Sequence, residues 1–407
     1  MKFSQDPQWI QILKQRRLPR LRIGGMGAAS ADDFGSTEPR AFDKIPLLDL
    51  TYEQLKEFLT SWGEPAYRAD QVWGWLYRFL ATDFQEMTNL PKGLRERLTE
   101  ATFLRTMKPL EERVSADSLT RKVLFALRDN QTVESVLMHY ERRHTACIST
   151  QVGCALGCVF CATGQSGFVR NLTAGEIVEQ VLYFARQLRG GMRNGLRVTR
   201  NAYTALVTRP SLLTNVVFMG MGEPLDNYQA TWQAIETLTH DEGLNLGARR
   251  ITISTVGLAP GIRRLAEEGK QIGLAVSLHA STNELRDKLV PINRRYPLAQ
   301  LMAACRHYLE RTGRRISFEY ALINGINDSP QQARQLAHLV DGLFCHVNLI
   351  PLNPVPESPY QPSPRGRILA FQAELNRLKA PNTLRVERGV DIRAGCGQLR
   401  CQRVPSG

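Results

Sequence analysis

The sequence predicts an α/β fold, a partial (β/α)6 barrel with an N-terminal small helical domain and a β-hairpin extension. From the helix Ala174–Leu188 onward, short apolar segments alternate with amphipathic helical segments. This alternation is typical of a parallel sheet that is covered by helices and built from right-handed βαβ units. The predicted strands are Asn215–Met219, Arg250–Ser254, Gly273–Ser277, Ile316–Tyr320 and His346–Ile350. We therefore expect functional residues at the carboxyl ends of these strands.

The regions that precede the barrel have different patterns. Residues 1–44 lack sustained periodicity and include a run of glycine, alanine and serine, which is typical of a disordered tail. Thr51 and Gln54 have the spacing of a capping box, ahead of apolar residues at helical intervals. Lys122–Leu127 and Thr132–Met138 flank a polar turn and predict a β-hairpin. The predicted divisions are a disordered tail at 1–44, a helical RNA-binding accessory domain at 45–107, a β-hairpin linker at 108–140, a barrel at 141–380 with an insertion at about 186–214, and a C-terminal segment at 381–407.

The charge balance favours an anionic partner. Lysine and arginine number 52 against 39 aspartates and glutamates, a formal net charge of +13. Charge of this sign attracts polyanions by releasing condensed counterions, so nucleic acid is the leading partner, with an ordinary basic enzyme surface as the alternative. The helical domain adds side chains suited to stacking on bases and pairing with phosphates. Each of them taken singly is more typical of a helix core or a solvated face, and the domain as a whole is the candidate for RNA binding. They are Trp73, Trp75, Tyr77, Arg78, Lys92, Arg95 and Arg97.

Composition also bears on the compartment. No apolar segment reaches the roughly 18 residues that a membrane span requires, so we expect no membrane association. The first residues lack the apolar stretch of a secretory signal. Eight cysteines in 407 residues indicate a reducing cytoplasm rather than a disulfide scaffold. We expect a cytoplasmic protein that acts as a monomer.

The strongest single signal is the spacing of Cys154, Cys158 and Cys161. Thiolates this close together are suited to holding one soft metal centre from a single loop, and three of them leave one coordination position open for chemistry. The alternative is a structural zinc site in which Cys147 supplies a fourth thiolate. That alternative is disfavoured because two separate short cysteine pairs would be expected for it.

Phe160, directly before the third cysteine, completes a pattern that resembles the radical S-adenosylmethionine (SAM) superfamily. The resemblance implies a [4Fe-4S] cluster on the three cysteines, with SAM bound to the fourth iron. Gly220–Pro224 resembles the motif that binds the amino group of SAM. Glycine at Gly222 lets the backbone approach a ligand, and Glu223 can pair with an ammonium group. The predicted fold is accordingly a radical-SAM barrel.

Polar residues also follow three other predicted strands. Ser254 ends one strand, Ser277, Leu278 and His279 end the next, and Asn353 follows the last. Their hydroxyl, imidazole and amide groups supply donors and acceptors for a ribose, a carboxylate and an adenine edge. Each alone is typical of an ordinary turn. Their recurrence at consecutive strand ends predicts a shared SAM pocket.

Further motifs are similar to those of one family, the RlmN adenosine C2-methyltransferases. The likeness covers about residues 47–399 and includes one motif in the helical domain. The segments that carry it are Asp83–Lys92, Val133–Ser135, Cys154–Gly164, Met219–Leu225, Ser277–Ala280, Asn348–Pro354 and Gly395–Leu399. The resemblance implies an enzyme that methylates RNA.

The resemblance also implies roles for three residues outside the SAM pocket. Cys396 would accept a methyl group from one SAM, and a second SAM would supply the radical that activates this methyl for addition to adenine C2. Cys147 would then attack the sulfur of Cys396 and release the product as a disulfide forms, which is ordinary thiol exchange. Glu134 would handle the proton. Adenine C2 is electron-poor and has no lone pair, so it cannot attack SAM directly.

The substrates implied by the resemblance are an adenosine in the peptidyl-transferase region of 23S rRNA and the adenosine 3′ of the anticodon in some tRNAs. An electron donor such as flavodoxin or ferredoxin is also implied. Two alternatives stay open at this point. One is a Cfr-type methyltransferase that acts on adenine C8, and the other is a non-catalytic RNA-binding protein stabilised by zinc or a cluster.

Overall fold

The structure is a computed structural model that describes residues 44–195, 213–353 and 358–385, together with residues 389, 391 and 392. For residues 191–195 only the helical backbone is considered. The predicted tail, most of the predicted insertion, and Cys396 lie outside the described residues.

The N-terminal helical region is framed by two short parallel strands. Its elements are β1 (Ile45–Pro46), a 3-10 turn at Leu47–Asp49, α1 (Tyr52–Ser61), α2 (Tyr67–Trp73) with a π-helical continuation at Gly74–Arg78, a 3-10 turn at Phe84–Glu86, α3 (Lys92–Ala101) and β2 (Thr102–Phe103). The predicted capping box is confirmed, because the Thr51 hydroxyl accepts from the Gln54 amide at 3.2 Å and the Gln54 side chain accepts from the Thr51 amide at 2.9 Å. It satisfies two backbone N–H groups at the first turn of α1.

One mixed sheet of ten strands organises the rest of the described chain. It contains β3 (Met107–Val114), β4 (Thr120–Leu127), β5 (Thr132–Tyr140), β6 (Arg143–Cys147), β9 (Asn215–Phe218), β10 (Ile251–Thr255), β11 (Gly273–Ser277), β12 (Ile316–Leu322), β13 (Cys345–Pro351) and β14 (Asn382–Leu384). The strands from β3 to β6 pair antiparallel, and those from β6 through β9 to β14 pair parallel. A separate antiparallel pair consists of β7 (Gln151–Gly153) and β8 (Phe168–Asn171).

Helices alternate with the parallel strands. They are α4 (Ala162–Gln165), α5 (Ala174–Gly195), α6 (Tyr228–Thr239), α7 (Ala259–Glu267), α8 (Asn283–Leu289), α9 (Leu298–Thr312), α10 (Pro330–Leu339) and α11 (Arg365–Arg377), with 3-10 turns at Ala248–Arg250 and Pro291–Arg294. One cavity is lined by residues of β5, β6 and β9 to β13 together, so the sheet curls around a common lumen. The predicted partial barrel with a helical N-terminal region is confirmed.

Several details differ from the sequence prediction. The hairpin β4–β5 is present, but β6 joins it to the barrel, so it continues the main sheet rather than forming a separate extension. The strands β3, β6 and β14 were not predicted, because each is short or strongly polar and lacks a continuous apolar pattern. Helix α5 continues to Gly195 instead of ending near Leu188. The first ten residues of the predicted insertion at 186–214 are therefore helical.

The helical region is attached to α5 and α6 by polar contacts. Arg189 donates to the carbonyls of Arg78 and Phe79, each at 2.7 Å. The carboxylate of Asp49 accepts from the Gly175 amide at 2.7 Å, and the carbonyl of Asp49 accepts from the Gln233 side chain at 2.6 Å. These bonds satisfy backbone groups at the ends of short elements. Within the described parts of the chain, no helix combines the length and apolar character needed to cross a bilayer.

The turn between β7 and the following loop depends on one glycine. Gly153 has a φ of +78°, and a Cβ built on it would overlap the carbonyl oxygen of Gly167. That oxygen accepts a hydrogen bond from the Cys154 amide at 2.9 Å. The loop from Cys154 to Gly167 is thus closed at its base by main-chain contact, which leaves no room for a side chain.

We predict that Gly153→Ala lowers the free energy of unfolding by more than about 4 kcal/mol, a loss of the size seen when packing is disrupted. Gly63→Ala is the matched control, because Gly63 also has a positive φ of +82° but open space around it. The control should cost about 1–2 kcal/mol from backbone strain alone. Urea denaturation monitored by circular dichroism measures both, and equal losses would contradict the steric explanation.

Candidate active site

The three motif cysteines lie on the loop between β7 and β8, which packs against helix α8. The Val159 amide donates to the carbonyl of Leu289 at 3.2 Å, and the Gln165 side chain donates to the carbonyl of Cys158 at 3.1 Å. Cys158 is buried among Leu289 and other apolar side chains at the carboxyl ends of the strands. The fold therefore holds this loop over one end of the barrel.

A cavity of about 250 Å³ lies between this loop and the strand ends. We call it the cysteine cavity. It brings together eight of the residues predicted from sequence, which come from the loop and from three successive strand ends. They are Cys154, Cys158, Cys161, Gly222, Glu223, Ser254, Ser277 and His279. The pocket predicted from the strand ends is thus formed from these side chains.

The donor set of the cysteine cavity fits an iron–sulfur cluster. Cys154, Cys158 and Cys161 all line this one cavity. Three thiols around a shared space suit a cluster, in which each thiolate binds a different iron. Burial raises the pKa of Cys154 to about 12 and also raises that of Cys158. Binding of a cluster would displace these protons.

Glu223 is fixed in place by the chain around it. Its carboxylate accepts from the amides of Leu225 at 3.1 Å and Val256 at 2.9 Å, and its own amide donates to Gln151 at 2.8 Å. Gly222 has a φ of +96°, and a Cβ there would lie 2.5 Å from the Cβ of Gln151. Burial raises the pKa of Glu223 to about 7. A buried carboxylate of this kind is favourably placed to accept an ammonium group.

His279 presents a neutral imidazole to the cysteine cavity. Its Nδ1 accepts from the Ala321 amide at 3.0 Å, so the proton of the neutral ring is on Nε2. Burial, reinforced by the nearby Arg286, lowers the pKa of His279 to about 3. The ring meets Phe160 edge to face, with 4.8 Å between centroids. His279 therefore joins the cysteine loop to the end of β11 and offers one N–H donor.

Two predicted SAM contacts have other positions. The Leu278 side chain is fully buried in the core, although its amide donates to the carbonyl of Glu319 at 2.9 Å at the strand end. Asn353 is exposed and lines a different, adjoining cavity. Alternation along a strand explains the first case, because neighbouring residues point to opposite faces.

The adjoining cavity has a volume of about 410 Å³, and we call it the lumen cavity. Cys147 lines it, together with Asn353 and Arg385. Glu319 lines both cavities, as do Met219 and Ile350, so the two spaces meet inside the barrel. Burial raises the pKa of Cys147 to about 12. The thiol is therefore kept protonated until a neighbouring charge favours the thiolate.

Glu134 forms a buried ion pair beside the lumen cavity. Its carboxylate lies 2.7 Å from the ammonium of Lys122, and the two side chains are 3 % and 0 % exposed. In the sheet, Lys122 is paired with Val136 and Val136 with Cys147, so these side chains share one face. Glu134 lies two residues from Val136 and points the same way. Of the three residues predicted for the methyl-transfer step, Glu134 and Cys147 lie in the described chain, and both are on one face of the sheet.

Cys396 lies outside the described residues, but Asp391, five residues before it in the sequence, is described. The Asp391 carboxylate accepts from the amide of Ala116 at 2.8 Å, in the turn between β3 and β4. Thr120, four residues after Ala116, is the first residue of β4 and lines the lumen cavity. Asp391 therefore lies at a turn whose following strand begins at the lumen cavity.

Sequence reasoning missed four polar residues around these cavities. They are Lys122, Gln151, Arg286 and Glu319. Glu319 interrupts an apolar strand segment, which is an available signal for a functional position, whereas Lys122 stands beside Arg121 at the start of its segment. Gln151 and Arg286 have no such signal, because their partners are distant in sequence. The predicted RNA contacts also need revision, since Trp73 and Tyr77 are 1 % and 0 % exposed and belong to the core.

The curled sheet and the three-cysteine loop over its strand ends define a radical SAM protein. The Radical SAM superfamily model matches residues 205–337. A crystal structure of a radical SAM methyltransferase from Sphaerobacter thermophilus superimposes with a TM-score of 0.81 at 50% identity, covering 87% of this chain and 98% of that one. Membership in this superfamily implies a [4Fe-4S] cluster and SAM.

Comparison with relatives assigns the chain to one family within this superfamily. The family model described as Ribosomal RNA large subunit methyltransferase N-terminal domain matches residues 45–104. Proteins named probable dual-specificity RNA methyltransferase RlmN are 48% identical in Chloroflexus aurantiacus, over 88% of this chain and 93% of the relative, and 49% identical in Roseiflexus castenholzii, over 88% and 96%. The chain belongs to the RlmN family and is a SAM-dependent methyltransferase.

We predict that Lys122→Met lowers the free energy of unfolding by about 3–5 kcal/mol, because it removes the ammonium from a buried carboxylate. The double variant Lys122→Met/Glu134→Gln should recover much of that loss, since the remaining group is neutral. Urea denaturation of both proteins and the parent measures the difference. A single variant as stable as the parent would show that the ion pair does not act in this way.

Proposed function

We propose that the protein methylates C2 of an adenosine in RNA, in 23S rRNA and in tRNA, through a methyl group carried on Cys396. The observation that carries the proposal is the pair of adjoining cavities, one with three thiols and one with Cys147. A cofactor site and a separate thiol that meet inside one barrel are what a two-thiol methyl transfer requires. The names of the relatives support RNA as the substrate.

In this proposal Cys154, Cys158 and Cys161 hold the cluster. SAM is held by Gly222, Glu223, Ser254, Ser277 and His279, with the backbone of Leu278 and the side chain of Asn353 at the margin. When bound, the cluster and SAM supply the one-electron chemistry that activates an otherwise inert methyl group, with the electron drawn from a flavodoxin or ferredoxin. The fixed carboxylate of Glu223 orients the amino group of SAM, and the neutral His279 donates its Nε2–H to an oxygen or an adenine nitrogen of SAM.

The remaining steps use the chain's own thiols and one carboxylate. Cys396 takes a methyl group from a first SAM as S-methylcysteine. The second SAM, when bound, would supply the radical that takes one hydrogen atom from this methyl, so that its carbon can bond to adenine C2, and the adduct would return one electron to the cluster. Cys147 then attacks the Cys396 sulfur as a thiolate, so that a sulfur–sulfur bond forms while the sulfur–carbon bond breaks. Glu134 accepts the proton that leaves C2, and the released methylene carbon takes up one proton to complete the methyl group of the departing base. The position of Cys147 on the lumen face and the anchoring of Asp391 support this assignment.

The surface is compatible with an RNA substrate. The formal charge of +13 favours binding to phosphates. In the helical region, the Arg97 guanidinium lies 4.5 Å from the Trp62 ring centroid and Arg68 lies 4.9 Å from that of Tyr67, which is 51 % exposed. Arg97 and Tyr67 are the exposed members of these pairs, and an exposed guanidinium and aromatic ring are suited to phosphates and bases. Access to adenine C2 inside the barrel requires the base to be extruded from its stack.

The first measurement is mass spectrometry of nucleosides from unmodified 23S rRNA and tRNA, after incubation with anaerobically reconstituted protein, methyl-deuterated SAM and a reductant. We expect deuterium-labelled 2-methyladenosine. Labelled 8-methyladenosine would instead indicate a Cfr-type enzyme. An intact cluster without any methylated adenosine would overturn the proposed reaction.

Variants that lack one of the two cysteines should stop the reaction at different steps. Cys396→Ala should give no methylated product, because the carrier sulfur is absent. Cys147→Ala should accumulate a covalent protein–RNA adduct, because nothing resolves the sulfur–carbon bond. Denaturing gel electrophoresis with labelled RNA detects the adduct. Free methylated RNA from either variant would remove that cysteine from the mechanism.

Cluster binding is tested by iron analysis. We expect Cys158→Ala to lose most of its iron and the absorbance of the cluster, because one of three thiolates is gone. Cys345→Ala is the control, since Cys345 is a buried thiol at the start of β13 that lines neither cavity. Unchanged iron in Cys158→Ala would place the cluster elsewhere.

A further inference from the structure

One arginine is fully enclosed next to the cysteine cavity. Arg286, on α8, is 0 % exposed and donates to four acceptors. Its Nε donates to the Leu278 carbonyl at 3.0 Å and its Nη1 to the Asn293 side chain at 3.0 Å. Its Nη2 donates to the carbonyl of Ser277 at 3.2 Å and to that of Val256. The guanidinium is thus caged by main-chain oxygens at the ends of β10 and β11.

This guanidinium has no carboxylate partner within the described chain. No carboxylate oxygen there lies within 4.0 Å of its nitrogens. The adjacent carboxylate, Asp287, instead accepts from the side chain of Asn293 at 2.6 Å. A guanidinium keeps its charge in almost any setting, and a buried charge without an opposite charge is costly. The four dipoles solvate the cation but do not neutralise it, so the fold retains one positive charge at this site.

Arg286 lies on the helix that supports the cysteine loop. Leu289, three residues further along α8, accepts from the Val159 amide at 3.2 Å, and Cys158 packs in the same apolar cluster. Val256 and Ser277, whose carbonyls accept from the guanidinium, both line the cysteine cavity. A guanidinium keeps its charge at neutral pH even when it is buried. The cation of Arg286 therefore lies directly behind the wall of the cysteine cavity.

We propose that Arg286 is the fixed counter-charge of the iron–sulfur cluster and shifts its reduction potential upward. The inference rests on the proposed binding of the cluster by Cys154, Cys158 and Cys161. A [4Fe-4S]2+ cluster on three thiolates carries one net negative charge, and uptake of one electron from an external low-potential donor makes it two. A positive charge held nearby in a medium of low dielectric stabilises the second state more than the first. Arg286 is a positioning residue in this sense and touches no reacting atom.

The four acceptor oxygens keep the charge of Arg286 in one position, and the proposed shift in reduction potential depends on that position. The cation cannot turn away from the cluster or take up water, because four acceptors from three chain segments hold it. Such a charge needs no reorganisation when the electron arrives, which is the condition under which a preorganised charge is most effective. Lysine would supply a similar charge, but not the four directed donors that fix its position.

The sharpest test moves a carboxylate onto Arg286 without changing the net charge of the protein. In the double variant Asp287→Asn/Asn293→Asp, the new carboxylate at 293 replaces the amide oxygen 3.0 Å from Nη1, and the amide at 287 restores the hydrogen bond between the two side chains. The single variant Asp287→Asn is the matched control, because it removes a negative charge from the same helix and leaves the guanidinium unpaired. Arg286→Met, if it folds, removes the cation itself.

Redox titration of the reconstituted holoenzyme without SAM, followed by electron paramagnetic resonance of the reduced cluster, supplies the readout. We expect the ratio of reduced to oxidised cluster at a fixed potential to fall at least tenfold in the double variant, a shift of 59 mV for one electron. Asp287→Asn should stay at the parent value or move the other way. Arg286→Met should shift in the same direction as the double variant.

Iron content separates the two possible failures. A double variant with full iron and the parent's reduction potential would overturn the role of Arg286 and leave the cluster assignment intact. Full iron in Cys158→Ala, by contrast, would overturn the cluster assignment itself. A general loss of structure would lower iron content and would not produce an intact cluster with a shifted potential.

Discussion

The main-chain closure between Gly153 and Gly167 is the constraint on which the site depends. It ties the two ends of the cysteine loop together, so that fourteen consecutive residues from Cys154 to Gly167 leave and re-enter the same β-pair. Without that closure, the thiols would not be held over the carboxyl ends of the strands. Gln151, two residues before Gly153 in β7, extends the same constraint to the end of β9, because its side chain accepts from the Glu223 amide. The cysteine loop and the end of β9 are thereby fixed relative to each other.

Two buried cations, one beside the lumen cavity and one beside the cysteine cavity, illustrate different solutions to one physical problem. Lys122 is neutralised directly by Glu134, so that pair is held together by its own attraction. Arg286 is solvated by carbonyl and amide oxygens and has no such partner in the described chain. A neutralised cation has little field at a distance, whereas a cation that is only solvated keeps its field. The first arrangement suits local positioning of a carboxylate, and the second suits action on a neighbouring charged group.

The antiparallel strands have a functional place that their sequence does not suggest. The hairpin β4–β5 looks like an appendage, yet β6 makes it continuous with the parallel sheet. Because of that continuity, Glu134 and Cys147 share a face with the barrel lumen. The same strands provide the turn that anchors Asp391. The antiparallel part of the sheet, rather than the parallel barrel strands, therefore supports Glu134 and Cys147, two of the residues proposed for methyl transfer.

The sequence by itself determined the cofactor loop, the alternation of strands and helices, and the polar strand ends, because each is a local pattern of spacing or periodicity. Cys154, Cys158 and Cys161 could be recognised for that reason, and so could Glu223 and His279. Only the tertiary structure decided that Leu278 points into the core, that Asn353 lies in the adjoining cavity, and that Lys122 pairs with Glu134. It alone shows that, among the described residues, the guanidinium of Arg286 is held by carbonyl and amide oxygens and not by a carboxylate. Those outcomes depend on which distant segments meet and how much water they exclude, and neither property is encoded in a local pattern.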